Sequence, residues 1–295
     1  MKTIGLFNPS SPVNEDINLN KLEDFCQKKD LRLVLSKNLW QKDRFLNGTD
    51  TERAQDIMDL FLDDKIDMLI AFRGGYGSMR VLDLLDYDAI RLHKKPVIGF
   101  SDTTALELSL WAKAGIKSLS GFLANYNILK PEKVDPIIEK TFDLALSENS
   151  LSTALIPMNN ACKDISGVLI GGTLTLIDKL LGTPYCPDFK DCLLYIEDVA
   201  EEPYKIDAMF SHLRLAGIFE QVKGIIFGQF EKCIASDKND GTIEEVLTDL
   251  CNHCPNTAFW MGLPYGHIPS HIIMPVGVAG TIQNNTLSFK YDQMK

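Results

Sequence analysis

No stretch of about 18 consecutive apolar residues occurs in the 295-residue sequence, so there is no candidate for a membrane-spanning helix. Clustered cations are missing as well. Basic runs stop at pairs such as Lys28-Lys29 and Lys94-Lys95, and 30 Lys and Arg against 40 Asp and Glu leave a formal net charge of −10. Phosphate recognition needs clustered positive charge, which argues against a nucleic-acid or anionic-membrane binder. The start, Met1-Lys2-Thr3-Ile4-Gly5-Leu6-Phe7-Asn8-Pro9, has one basic residue and an apolar stretch that stops at Asn8-Pro9, so a first strand is expected there and not a secretion signal. Seven cysteines (Cys26, Cys162, Cys186, Cys192, Cys233, Cys251, Cys254) are odd in number and scattered through a chain large enough to fold without staples. Free thiols in a reducing cytoplasm are the expectation. There is no internal repeat and no low-complexity tract.

What is present is ordinary for a globular protein: 45% hydrophobic and 24% charged residues, with length for one large or two average domains. The first half alternates strands and helices. Ile4 to Asn8, Leu31 to Leu35, Ile66 to Phe72 and Pro96 to Phe100 read as buried strands, and Thr51 to Leu62, Ser78 to Leu85 and Thr103 to Ala114 as helices. Repeated strand, tight turn and helix imply an open parallel sheet covered on both faces. From Ser147 to Lys163 the pattern lapses into polar and small residues, which predicts a first domain over 1–147, a linker over 148–163 and a second domain over 164–295. In the second domain Gly167 to Gly172, Cys192 to Ile196 and Val222 to Phe227 read as strands, and Thr173 to Leu181, Tyr204 to Ala216 and Ile243 to Leu250 as helices. Val276 to Ile282 and Thr286 to Tyr291 read as strands around an Asn284-Asn285 turn. A mixed α/β fold with more turns is expected there.

Several motifs could carry chemistry, each beside a plainer reading. Gly99-Phe100-Ser101-Asp102-Thr103 puts a serine where a buried strand meets a helix N-terminus, a junction that exposes a nucleophile and offers free N–H groups to an oxyanion. It matches the G-x-S-x-G elbow only in part, and Ser101 or Asp102 could equally just cap the helix. Arg73-Gly74-Gly75-Tyr76-Gly77 allows close backbone approach to a ligand, or is only a tight turn. It fits neither a Walker loop nor a dinucleotide fingerprint. Glu197 and Asp198 end an apolar strand, where either could orient a histidine or simply favour the following helix. Pro264, Gly266 and Pro269 make a loop around His267 and His271, which therefore do not form an i, i+4 metal pair on a helix. His267 suits a general base, although a loop histidine is more often merely exposed. Cys251-x-x-Cys254 lacks a second pair at zinc-ribbon spacing, and Asn47-Gly48-Thr49, a formal glycosylation acceptor, is discounted without a secretion signal.

Together the motifs supply a nucleophile, a base, an orienting carboxylate and amide-rich turns. The sequence resembles the serine LD-carboxypeptidase family, which includes microcin-type self-immunity peptidases. The resemblance rests on Arg73-Gly74-Gly75-Tyr76-Gly77, Gly99-Phe100-Ser101-Asp102, Gly171-Gly172-Thr173-Leu174, Leu181-Gly182-Thr183-Pro184, Ile196-Glu197-Asp198, Tyr204-Lys205-Ile206-Asp207 and Gly266-His267, in the family's order over nearly the whole chain. It implies Ser101 as nucleophile, His267 as general base and Glu197 as the carboxylate that holds the imidazole. The N–H of Asp102, with that of Gly74 or Gly75, would form the oxyanion hole. It further implies a flavodoxin-like first domain, a smaller mixed α/β second domain, and cleavage of a murein tetrapeptide between its diamino acid and terminal D-alanine. No metal and no cofactor are expected. Arg73 is the candidate for the substrate's terminal carboxylate. Ala208 and Thr173 depart from the arginine and asparagine that many relatives carry, and this bears on the substrate pocket. An aminoacyl or peptidyl nucleotide is the alternative substrate, and a non-catalytic binding protein is the reading outside enzymes. A homodimer is the expected assembly.

Overall fold

The computed structural model describes residues 1–13, 17–237 and 239–292. Fourteen strands among these residues build two sheets: β1 (Lys2–Phe7), β2 (Leu31–Leu35), β3 (Met68–Ala71), β4 (Val97–Gly99), β5 (Ser118–Ser120), β6 (Ser150–Ala154), β7 (Ile156–Pro157), β8 (Ile165–Thr173), β9 (Cys192–Val199), β10 (Gly224–Glu231), β11 (Phe259–Met261), β12 (Met274–Val276), β13 (Val278–Gln283) and β14 (Thr286–Lys290).

In the first sheet, β5-β4-β3-β1-β2 run parallel, the flavodoxin-like order, and β12 joins antiparallel beside β5. Every residue of β3 and β4 is buried, as parallel strands covered on both faces must be. Helix Asp50–Leu62 starts at a reciprocal cap between Thr49 and Glu52. The order reverses between β1 and β3, which opens a crevice at the carboxyl ends of the strands. The turns that leave β1, β3 and β4 all empty into it.

The second sheet has the order β6-β14-β13-β8-β9-β10-β11-β7. Its centre, β8 to β11, is parallel, and antiparallel strands flank it on both sides. β13 alternates buried and exposed residues, and Asn284 and Asn285 both take left-handed φ between β13 and β14, the requirement of a tight hairpin.

Three features differ from the sequence expectation. Ser78–Leu84 is a 3₁₀ helix, wound tighter than an α-helix, where it leaves Gly77 at φ +133°. Residues 148–163, expected as a linker, contribute β6 and β7, which form the two outer edges of the second sheet. β12 lies late in the chain yet completes the first sheet. The buried apolar residues of both sheets form one continuous cluster.

Candidate active site

Ser101 stands directly after β4 with φ +64°, left-handed and therefore strained for a residue with a Cβ. Such a backbone costs on the order of 1–3 kcal/mol and persists only where its surroundings impose it. Here the neighbouring Asp102 imposes it. Its buried carboxylate accepts from Ser10 Oγ at 2.6 Å and from the Ser78 N–H at 2.8 Å, while the Ser78 hydroxyl donates to the Asp102 carbonyl. The turns after β1, β3 and β4 are thereby tied into one piece. Arg53, itself buried, adds a second tie by donating to the carbonyls of Pro9 and Gly77 and pairing with Asp50.

The turn after β3 lies against the serine. A Cβ placed on Gly74 would come within 3.1 Å of Ser101 Cβ, and one on Gly75, at φ +118°, would meet Ser11 Oγ at 2.4 Å. Glycine thus lets the backbone at 74 approach Ser101, and the backbone at 75 approach Ser11, this closely. Gly74 and Gly75 line one cavity with Ser101, and Asp102 follows the serine in the chain.

From the second sheet, Glu197 near the end of β9 is completely buried. His267 Nδ1 lies 2.7 Å from its Oε2, and Thr173 Oγ1 donates to its Oε1 at 2.6 Å. Both carboxylate oxygens are thus held, and the imidazole is fixed by one of them. The His267 loop rests on β10, whose register shifts between Phe227 and Phe230. There the Gln229 N–H donates to the Tyr265 carbonyl at 2.8 Å. Bulges commonly re-aim groups beside functional sites in this way. Gly266, at φ +140°, leaves room for Glu197, since a Cβ there would sit 3.3 Å from Oε2. Phe100 packs tilted against His267 with ring centroids 4.4 Å apart, so the residue before the serine also braces the imidazole.

Ser101 and His267 line one cavity of about 160 Å³ with Arg73, Gly74, Gly75, Leu123, Asn125, Tyr126 and Lys130. Arg73 faces this cavity while its Nη1 donates to the Pro12 carbonyl at 2.6 Å. All seven expected site residues therefore lie in or around one crevice. The halves meet tightly behind it. The Thr173 N–H donates to Thr104 Oγ1 at 3.2 Å, and a Cβ on Gly172 would come within 2.5 Å of Thr104 Cγ2.

The other motifs resolve into structural roles. Asp198, also buried, accepts from the Thr175 N–H and hydroxyl, and burial pushes its carboxyl up to about 6. It anchors the preceding helix, Leu174–Leu180, and Glu197 alone hydrogen-bonds the histidine. His271 is buried with both ring nitrogens facing carbonyls, Ile268 at 2.8 Å and Gly121 at 2.7 Å, and so fastens the loop that carries His267. Asn47 is buried in a turn, which no glycan could reach. All seven cysteines are free, and burial pushes the Cys251 thiol up to about 11. Sequence reasoning missed Asn125, Tyr126 and Lys130. They follow β5, another carboxyl end of the parallel sheet, but that strand contains one apolar residue and left no recognisable run. Thr173 was noted only as a departure, and its hydroxyl holds the central carboxylate.

No helix among the described residues is long and apolar enough to cross a membrane. Fold and crevice together are those of a two-domain α/β protein that gathers a serine, a histidine and a buried glutamate at one cavity. The family's own domain descriptions match both halves, the LD-carboxypeptidase N-terminal domain over residues 4–121 and the C-terminal domain over 166–282. The chain belongs to the LD-carboxypeptidase family. It is 35% identical to a Synechocystis protein whose name assigns it provisionally to the carboxypeptidases, over 95% of this chain and 92% of that one. It is 29% identical to a Bacillus subtilis protein named as a probable murein peptide carboxypeptidase, over 93% and 86%. Among solved structures, muramoyltetrapeptide carboxypeptidase from Oxalobacter formigenes superposes with TM-score 0.88 at 24% identity, covering 98% of both chains. MccF bound to glutamyl sulfamoyl guanosine superposes with TM-score 0.84 at 24% identity, covering 98% and 96%. At that identity the structures establish a shared fold.

Proposed function

We propose that the protein hydrolyses the amide bond that precedes the terminal D-alanine of a murein tetrapeptide, with Ser101, His267 and Glu197 as its catalytic triad. The observation that carries this reading is the buried Glu197 carboxylate, held by Thr173, against a histidine that shares a cavity with a strained serine. His267 Nε2 takes the Ser101 proton as Oγ attacks the carbonyl carbon. Glu197 keeps the Nδ1 proton in place and stabilises the imidazolium that forms. The tetrahedral oxygen is received by N–H groups of Asp102 and Gly74 or Gly75. His267 then returns the proton to the leaving amine, D-alanine departs, and the acyl-enzyme ester is opened by a water that His267 deprotonates. Arg73, on the cavity wall, meets the terminal carboxylate. The site of action that fits seven free thiols is the cytoplasm.

The test is to incubate wild type and Ser101→Ala with murein tetrapeptide and, separately, with an aminoacyl-sulfamoyl nucleotide, and follow product masses. Release of D-alanine by wild type alone is expected. Cleavage of the nucleotide conjugate instead would assign the protein to the self-immunity class, for which Tyr126 is the aromatic ring at hand. Cleavage of neither overturns the catalytic reading.

A further inference from the structure

The catalytic cavity, at about 160 Å³, is too small to hold a peptide, since pockets that enclose small ligands run from roughly 300 to 1,000 Å³. It opens onto a second space of about 610 Å³ that shares Tyr126 and Lys130 with it and continues past Lys133, Val134, Pro136 and Pro269. Pro269 is two residues from His267, so this groove begins beside the imidazole. Its floor is largely apolar. Its charges are two lysines and one carboxylate, Asp135, which accepts from the N–H groups of Ile137 and Ile138 and from Ser270 Oγ. Neither lysine ammonium has a partner among the described residues. On the wall of the catalytic cavity, next in the chain to the shared Tyr126, is Asn125, only 6% exposed, whose Oδ1 has no hydrogen-bond partner. A buried carbonyl oxygen left unpaired is costly unless a ligand donor completes it. It stands in a π-helical turn, Ala124–Leu129, a distortion frequent at functional sites.

We infer that this groove is the subsite for the acyl side of the substrate. In it Asn125 accepts a peptide N–H next to the scissile bond, and Lys130 and Lys133 hold a carboxylate carried further along the peptide. The substrate class is therefore an acidic peptide with a second carboxylate besides its terminal one. This assignment rests on the proposed carboxypeptidase reading and locates the positive surface that an anionic substrate requires on a chain of net charge −10.

Binding separates the two. The Ser101→Ala full-length protein is titrated calorimetrically with a murein-type tetrapeptide that bears a free internal carboxylate and with the same peptide amidated at that position. The diacid is expected to bind at least tenfold more tightly, with the advantage shrinking as salt rises. Lys130→Glu/Lys133→Glu should erase that advantage and leave the amidated peptide nearly unaffected, while Asn125→Ala should weaken both peptides severalfold. Equal affinity for the two peptides, equal weakening of both by charge reversal, or no binding of either overturns the groove assignment. Unchanged affinity in Asn125→Ala removes Asn125 from it. Wild-type turnover of the tetrapeptide is measured independently, so the groove can fail while the carboxypeptidase reading stands.

Discussion

Two glutamates with no exposed surface serve the two halves of the crevice differently. Glu197, on β9, has both oxygens occupied, one by a hydroxyl and one by the His267 ring. Glu107 lies in helix Thr104–Ala114, one turn after the serine. Its Oε1 accepts from Thr103 at 3.2 Å, and its Oε2 has no partner. Facing it are the phenols of Tyr195 and Tyr265, and burial pushes its carboxyl up to about 8. Equal burial thus leaves a carboxyl with one oxygen unpaired on one side and a carboxyl with both oxygens occupied on the other. Donors decide the outcome, because a buried carboxylate is tolerable only where N–H and O–H groups replace water.

The comparison breaks most sharply at Glu197. Glu197→Gln should leave the fold intact and lower kcat by about 10³–10⁴-fold, because an amide can hold the ring in the wrong tautomer; hydrolysis rates beside the circular dichroism spectrum check it. Near-wild-type turnover would separate Glu197 from the reaction. Thr173→Val removes one donor and is expected to cost about tenfold in kcat with KM little changed. Loss of substrate affinity alone would move Thr173 from support of Glu197 to the pocket.

Glu107 should respond in stability. An acid whose pKa in the folded protein lies above its unfolded value binds more protons when folded, so its contribution falls as pH rises from about 4.5 toward 8. Glu107→Gln keeps the hydrogen bonds without the charge, and its melting temperature should fall less between pH 6 and pH 9 than that of wild type, with activity near pH 7 within about twofold. Parallel melting curves for the two proteins would contradict a neutral Glu107. The smallest effect is expected far from both carboxylates. Thr49→Ala opens the cap of helix Asp50–Leu62 and should cost about 1 kcal/mol in denaturant unfolding with no change in turnover.

The parts legible in the sequence were those with strong local signals. β3, β4 and the glycine turn after β3 announce themselves by apolar runs cut off abruptly, and Asn284-Asn285 by the turn it must make. β5 and β12 have three residues each, too few for a periodic pattern, and β12 carries a proline. Both are strands because the sheet around them supplies partners. Glu107 was legible in principle: the helix that bears it is apolar on all sides, which places it in the interior together with its one acid. The tie between Asp102, Ser10 and Ser78 spans more than 90 residues and leaves no local trace.

The order in which the chain is made gives β12 a further meaning. The serine, its glycine turn and the five parallel strands are all synthesised by residue 120, but the sixth strand of that sheet, Met274–Val276, follows only after the His267 loop has been built. A nascent chain therefore carries Ser101 on a sheet with an open edge at β5. Closing that edge draws in the segment that follows the His267 loop, so completion of the first sheet and arrival of His267 at the cavity it shares with Ser101 are coupled.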